Sequence, residues 1–206
     1  GGVLGDMGGF CASTYKRGID FVLVPTTLLA QADASVGGKL GIDFNHYKNH
    51  IGVFHHPALT LLHSGFLKTL PHSELRSGFA EIIKHALISD KALWEEISTK
   101  KFVEQNWDAL IRHSVEFKAM VTTEDPTEKG LRKMYLLNSG SPIMHGEAVA
   151  AGLIAEGFIA KQRGLLSDID FQKLSTFVLA VYGKVRFQIE DLDPIGEIVL
   201  QDKKNK

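Results

Sequence analysis

The chain has 206 residues, 44% hydrophobic and 23% charged, with a formal net charge of −1. That mixture can bury the core of one large or two small domains. The near-neutral balance excludes a nucleic-acid binder held by a general positive field. The single cysteine, Cys11, excludes an intramolecular disulfide and makes a reducing, cytoplasmic setting the expectation.

The chain opens on GGVLGDMGGF, with five glycines in its first nine residues. Glycine permits tight turns and close approach of a phosphate to backbone N–H groups. A helix starting near Asp6 would aim its positive end at such a phosphate. The string is not G-x-G-x-x-G, so it reads either as a structural turn or as the edge of a dinucleotide site. Cys11, just beyond, reads as a small apolar residue rather than a catalytic thiol.

Phe21-Val22-Leu23-Val24, ended by Pro25, is a continuous apolar run of the kind a buried parallel strand shows. Thr26 and Thr27 follow it, at a strand end where open α/β sheets bind ligands. Leu28 to Val36 reads as a short helix stopped by Gly37-Gly38. Asp33, Lys39, Lys48 and Asn49 fall within one stretch of adjacent loops, which suits an anionic ligand, although each lysine alone reads as a solvated charge. Leu59 to Leu62 is a second candidate strand.

From about Pro71 the pattern turns helical. Ser73 is placed to cap a helix running to about Ser89. Its apolar stripe is Leu75, Phe79, Ile82, Ile83, Ala86 and Leu87. Glu81, Lys84 and His85 share one face at i, i+3 and i+4. Glu81 and Lys84 read as an ion pair, or as a metal ligand beside a substrate-gripping lysine. Trp94 to Ile97, Trp107 to Thr122, Gly146 to Arg163 and Phe171 to Val181 also read as helices, with Gly164 a favoured stop. His145 opens one of them, either as a cap or packing residue or as a second metal ligand. The other histidines lack metal-site spacing. Glu124 to Lys133 is charged and turn-like. No apolar run approaches the roughly 18–20 residues of a membrane helix. The expected architecture is an α/β piece over residues 1–65 followed by an all-helical domain over 66–206.

The ordered strings GGVLGDMGGF, VPTTLLAQADASVGGK, KNHIGVF, ELRSGFAEIIKHALI, DPTEKGLRK, HGEAVAAG and DKKN resemble 3-dehydroquinate synthase, of the sugar-phosphate cyclase family. The resemblance implies the C-terminal part of a Rossmann-like NAD-binding domain followed by a helical metal- and substrate-binding domain. It implies a cytoplasmic, homodimeric lyase of the shikimate pathway that uses NAD and one divalent metal, zinc or else cobalt. The implied substrate is a small phosphorylated sugar acid, 3-deoxy-D-arabino-heptulosonate 7-phosphate. The implied steps are oxidation by NAD, phosphate elimination, re-reduction, and ring closure by an intramolecular aldol reaction. Nucleic acid and membrane are not implied partners.

By motif match, Gly1, Gly2, Val3, Asp6, Thr26, Thr27, Leu29 and Lys48 are expected to contact NAD, with Phe66, Leu67, Lys68 and Thr69 near its adenosine end. Asp33, Lys39, Asn49, Lys84, Lys118, Arg132 and one of Lys203 and Lys204 are expected to hold substrate. Arg17 is expected to reach substrate in a neighbouring subunit. Glu81 and His145 are expected to bind the metal. Glu128, Lys84 and Lys118 are the expected catalytic residues.

The chain departs from the family pattern in three places. The segment that normally precedes the glycine-rich start is absent, as is the tail after DKKN, so a piece of a longer protein is expected. Between Lys133 and Met134 the family carries a run like ALNFGHTxGHAxES, with a metal-binding and a catalytic histidine. Its absence reads as a segment left out of the sequence or as a true deletion. The rival readings are another cyclase of the same fold, making a valiolone or deoxy-inosose ring, a metal-dependent polyol dehydrogenase, and a non-catalytic relative.

Overall fold

The structure is a computed structural model describing residues 1–45, 47–124 and 144–184, without the side chains of Tyr47 and Lys48. The chain forms two compact units, Gly1–His85 with Asn106–Thr127, and Ala86–Gln105 with Glu128–Lys206.

In the first unit the glycine-rich start is not a turn. It is a helix, α1 (Gly2–Thr14), which begins four residues ahead of the expected Asp6. Each helical glycine costs about 1 kcal/mol relative to alanine. Only Gly9 explains itself by packing: a Cβ there would lie 2.5 Å from Leu40 Cδ2. Gly2, Gly5 and Gly8 have nothing within 4 Å of a Cβ and leave one helix face bare.

β1 (Val22–Leu23) pairs in parallel with β4 (Leu59–Thr60), as the two apolar runs predict. Hydrogen bonds from Leu61 N to Leu23 O and from Ala58 N to Phe21 O extend the pairing. The expected burial is not met, because Val22, Val24, Leu59 and Leu61 are all exposed.

Residues 28–34 form the expected short helix, which widens to a π-turn over Ala30–Ala34. Such turns recur at functional sites. Gly37 (φ 103°) and Gly38 (φ 64°) then end it in left-handed backbone.

The following stretch corrects the reading of loops. Lys39 and Asn49 lie on a hairpin of β2 (Lys39–Phe44) and β3 (Tyr47–Phe54). Glycine obscured its alternating pattern. Gly41 faces Gly52, and a Cβ on Gly52 would lie 2.5 Å from Leu40 O. The hairpin glycines therefore mark close strand approach rather than loop. Asn45, with φ 49°, supplies the left-handed turn residue.

α2 (His72–Ser89) is the unit's central helix, with residues 77–83 all buried. Ser73 does not cap it. Glu74 N and Leu75 N both donate to Pro71 O, so the helix starts before Ser73. Proline suits this boundary because a helix start needs no N–H there. Gly78 lets α2 approach the 28–34 helix, since a Cβ would meet the Leu28 carbonyl carbon at 2.7 Å. Gly78→Ala is therefore expected to destabilise the protein by about 1–3 kcal/mol through overpacking, read from urea unfolding. A neutral effect would refute this close approach. α4 (Trp107–Glu124) packs on the same segment, and Trp107 meets Phe79 edge-on at 5.7 Å.

The second unit contains α3 (Lys91–Thr99), α5 (His145–Gln162) and α6 (Asp168–Tyr182). Asp90 caps α3 by accepting from Leu93 N at 3.0 Å. Trp94 packs edge-on against Phe177, and Lys173 pairs with Glu95 beside it. Gly164 (φ 70°) turns the chain after α5 as predicted, and Ser167 caps α6. Among the described residues no helix is long and apolar enough to cross a membrane.

Candidate active site

Two features of the first unit carry chemistry. One is a cavity of about 360 Å³ between the start of α1 and the end of β1, lined by Gly1, Gly2, Gly5, Asp6, Thr26 and Ser35 among others. Four of the expected cofactor residues, Gly1, Gly2, Asp6 and Thr26, thus meet at one place. The first turn of α1 presents backbone N–H groups there, with the positive end of the helix dipole. Side chains at Gly2 and Gly5 would project into open space. A polyanionic ligand such as a dinucleotide pyrophosphate fits this cradle.

The other feature is a buried cluster of charges. Asp33, on the π-turn, is paired with Lys118 of α4. Glu81 is paired with Lys84 one helical turn along α2. Asp33, Lys118, Glu81 and His85 are all buried. One ligand atom from each of Asp33, Glu81 and His85 lies within 4.8 Å of the others. Taking each charge out of water costs several kcal/mol, which only a well-placed partner offsets. The sequence spends that energy on the charges of Asp33, Glu81 and Lys118, drawn from three elements, which marks a site rather than a core.

His85 completes the cluster, with its ring 5.2 Å from that of Phe117. Burial pushes its pKa down to about 4, helped by Lys84 and Lys118 and opposed by Asp33 and Glu81. The folded protein therefore holds a neutral imidazole at pH 7. In the unfolded chain the same group protonates near 6.5. Stability from this residue is full above pH 6.5 and is lost as pH falls toward 4, by on the order of 3 kcal/mol. Urea unfolding in chelator between pH 7 and 4.5 is expected to show this fall, with a flatter profile for His85→Asn. Identical profiles would remove His85 from this role.

The remaining expected residues are more scattered. Thr27 lies beside Gly1, where a Cβ would meet its Cγ2 at 3.5 Å, and its Oγ1 accepts from Ala30 N. Val3 is exposed and Leu29 is half-buried. Ser64–Thr69 forms a 3-10 turn in which Leu67 is a core residue while Phe66, Lys68 and Thr69 are exposed. Lys39 is half-buried at the start of β2. Arg17 (φ 70°) and Asn49 (φ 49°) are held in left-handed backbone, a strained state that recurs at binding sites. Asn49 N donates to Asp43 Oδ1 at 2.8 Å. His145 opens α5, in the second unit, and Glu147 accepts from Met144 N there. The Lys48 side chain, Glu128, Arg132, Lys203, Lys204 and the junction of Lys133 with Met134 lie outside the described residues.

Sequence reasoning gave no role to His85 or to the cavity wall formed by Pro25 and Ser35. For His85 the signal was present in its i+4 spacing from Glu81. For Pro25 and Ser35 there was none, because a cavity wall follows from how strand and helix meet.

Residues 1–77 match the family model described as 3-dehydroquinate synthase N-terminal, and residues 78–205 match 3-dehydroquinate synthase C-terminal. The chain is 40% identical over 220 positions to a 3-dehydroquinate synthase of a Nitratiruptor species, covering all of this chain and 62% of that protein. Set against the 206 residues here, 220 positions leave 14 in the relative without a counterpart. A 2-epi-5-epi-valiolone synthase from Streptomyces hygroscopicus subsp. jinggangensis, solved with NAD+ and Zn2+ bound, superposes with a TM-score of 0.85 at 28% identity. The match covers 98% of this chain and 61% of that one. A 2-deoxy-scyllo-inosose synthase complexed with carbaglucose-6-phosphate, NAD+ and Co2+ gives 0.80 at 26% identity, covering 99% of this chain and 60% of that one. The chain thus spans about 62% of the length of the curated relatives it matches. The C-terminal model alone covers more than half of the chain, and the chain belongs to the 3-dehydroquinate synthase family.

Proposed function

We propose that the protein is a 3-dehydroquinate synthase, an NAD- and metal-dependent lyase that converts 3-deoxy-D-arabino-heptulosonate 7-phosphate to 3-dehydroquinate and phosphate. The observation that carries this reading is the convergence of buried Asp33, Glu81 and Lys118 with half-buried Lys84, in one unit with the glycine-lined cavity. The identity of 40% to 3-dehydroquinate synthases, against 28% and 26% to the other cyclases, favours this substrate.

The α1 cradle of Gly1, Gly2, Asp6 and Thr26 would hold NAD, which when bound would supply the hydride acceptor and donor. The donors around Glu81 are carboxylate oxygens and an imidazole nitrogen, a set that suits zinc or cobalt. Glu81 would be a ligand of the ion; His145 is the further ligand that the family resemblance implies, with the third histidine ligand absent from this sequence. Bound there, a divalent cation would polarise a substrate hydroxyl. Lys84 and Lys118 would steady the negative charge that grows on substrate oxygens, in a setting where water screens little. Asp33 fixes the Lys118 ammonium, so that group is oriented before substrate arrives. Glu128 supplies the remaining catalytic carboxylate, and Lys39, Asn49, Arg132 and Lys203 would hold the substrate anions. The reading extends to a cytoplasmic homodimer in which Arg17 reaches the neighbouring subunit's substrate.

The test is paired binding and turnover. The protein is expected to bind NAD and one equivalent of zinc by calorimetry, and to turn over only with both. Protein that binds NAD but neither zinc nor the sugar-acid phosphate would be a non-catalytic relative.

A further inference from the structure

We propose that Lys84 is a displaceable counter-ion built into the metal site: a divalent cation engages Glu81 only by displacing the Lys84 ammonium, which then takes up an anion. Cation and anionic substrate would therefore bind as a coupled pair. The inference rests on the reading of Glu81 as a metal ligand.

The two ion pairs of the cluster are not equivalent. Asp33 and Lys118 are both buried, with side chains 5% and 4% exposed, and they join separate elements. Neither can turn away without leaving a charge stranded in the core. Glu81 is equally buried at 1%, but its partner Lys84 is 14% exposed and lies one turn along the same helix. A lysine head on a flexible four-carbon stem can swing toward solvent while its stem stays packed. Lys84 is thus the member able to move, and Glu81 is the carboxylate able to be vacated.

Charge counting gives the coupling. Among the described residues, two carboxylates and two ammoniums balance, which makes this set neutral. A divalent cation leaves it with two excess positive charges in a place that water barely reaches. A dianion, such as a phosphate or sulfate, restores the balance and finds a donor in the released Lys84. By linkage, whatever factor the anion adds to cation affinity, the cation must add to anion affinity.

The experiment is zinc titration by calorimetry, using sulfate as the dianion probe and chloride to hold ionic strength constant. In the wild-type protein, millimolar sulfate is expected to tighten zinc binding by about fivefold or more. Lys84→Met is expected to bind zinc more tightly than wild type in the absence of sulfate, and to lose the sulfate effect. Lys84→Gln should move both quantities in the same direction, which guards against a folding defect in either variant. Glu81→Gln separates the two levels of the claim. If it weakens zinc binding while the Lys84 variants bind zinc no better than wild type, the counter-ion proposal is overturned and the metal reading stands. If it leaves zinc binding unchanged, Glu81 is not a ligand and both fall.

Discussion

Lys118→Met is expected to destabilise the protein by about 3–5 kcal/mol, because it removes the ammonium that neutralises the buried Asp33 carboxylate. The same side-chain volume is kept, so little of this loss comes from a cavity. The double variant Asp33→Leu with Lys118→Met should recover most of the stability, since replacing both charges removes the unpaired one. Urea unfolding at constant m separates the cases. A single-variant loss below about 1 kcal/mol would place the pair in the class of solvated surface bridges. That result would remove the argument that this cluster is a site maintained against an energetic cost.

Gly5→Leu should separate binding from folding. Gly5 lies within α1 and lines the cavity at its start, and its Cβ position is open. Replacing a helical glycine stabilises the helix by up to about 1 kcal/mol. The leucine side chain would occupy space that the cofactor needs. NAD affinity is expected to fall by about 100-fold, a loss of roughly 2.8 kcal/mol, while the unfolding midpoint holds or rises. Calorimetry with NAD and a thermal melt read the two quantities. Unchanged NAD affinity would move the cofactor away from this cavity.

The legible parts of the fold were those written in local periodicity. The stripe on α2, the apolar runs of β1 and β4, and the Gly164 stop all appear where spacing places them. Glycine caused the principal errors. The glycine-rich start suggests a turn or a dinucleotide edge yet forms α1 from Gly2, and the loops expected around Lys39 and Asn49 form the β2–β3 hairpin. In both, glycine marks close approach or a bare face. The Ser73 cap failed because a preceding proline can open a helix equally well.

The site divides along the same line. Glu81, Lys84 and His85 are neighbours through one helix period, so their grouping is visible in the string itself. Asp33 and Lys118 stand 85 positions apart and meet only because α4 packs on the π-turn. No local pattern encodes that meeting, and only the family resemblance brought the two residues together beforehand. The burial that lowers the His85 pKa is likewise a property of packing, invisible in its sequence neighbours.

Phosphate release reports the proposed reaction. The protein, supplied with NAD and zinc, would be given in parallel 3-deoxy-D-arabino-heptulosonate 7-phosphate, sedoheptulose 7-phosphate and glucose 6-phosphate. Phosphate release is expected from the first substrate alone, with 3-dehydroquinate as the product and no net consumption of NAD. Release from either of the others instead would assign the protein to a different cyclase activity, and release from none would contradict the account.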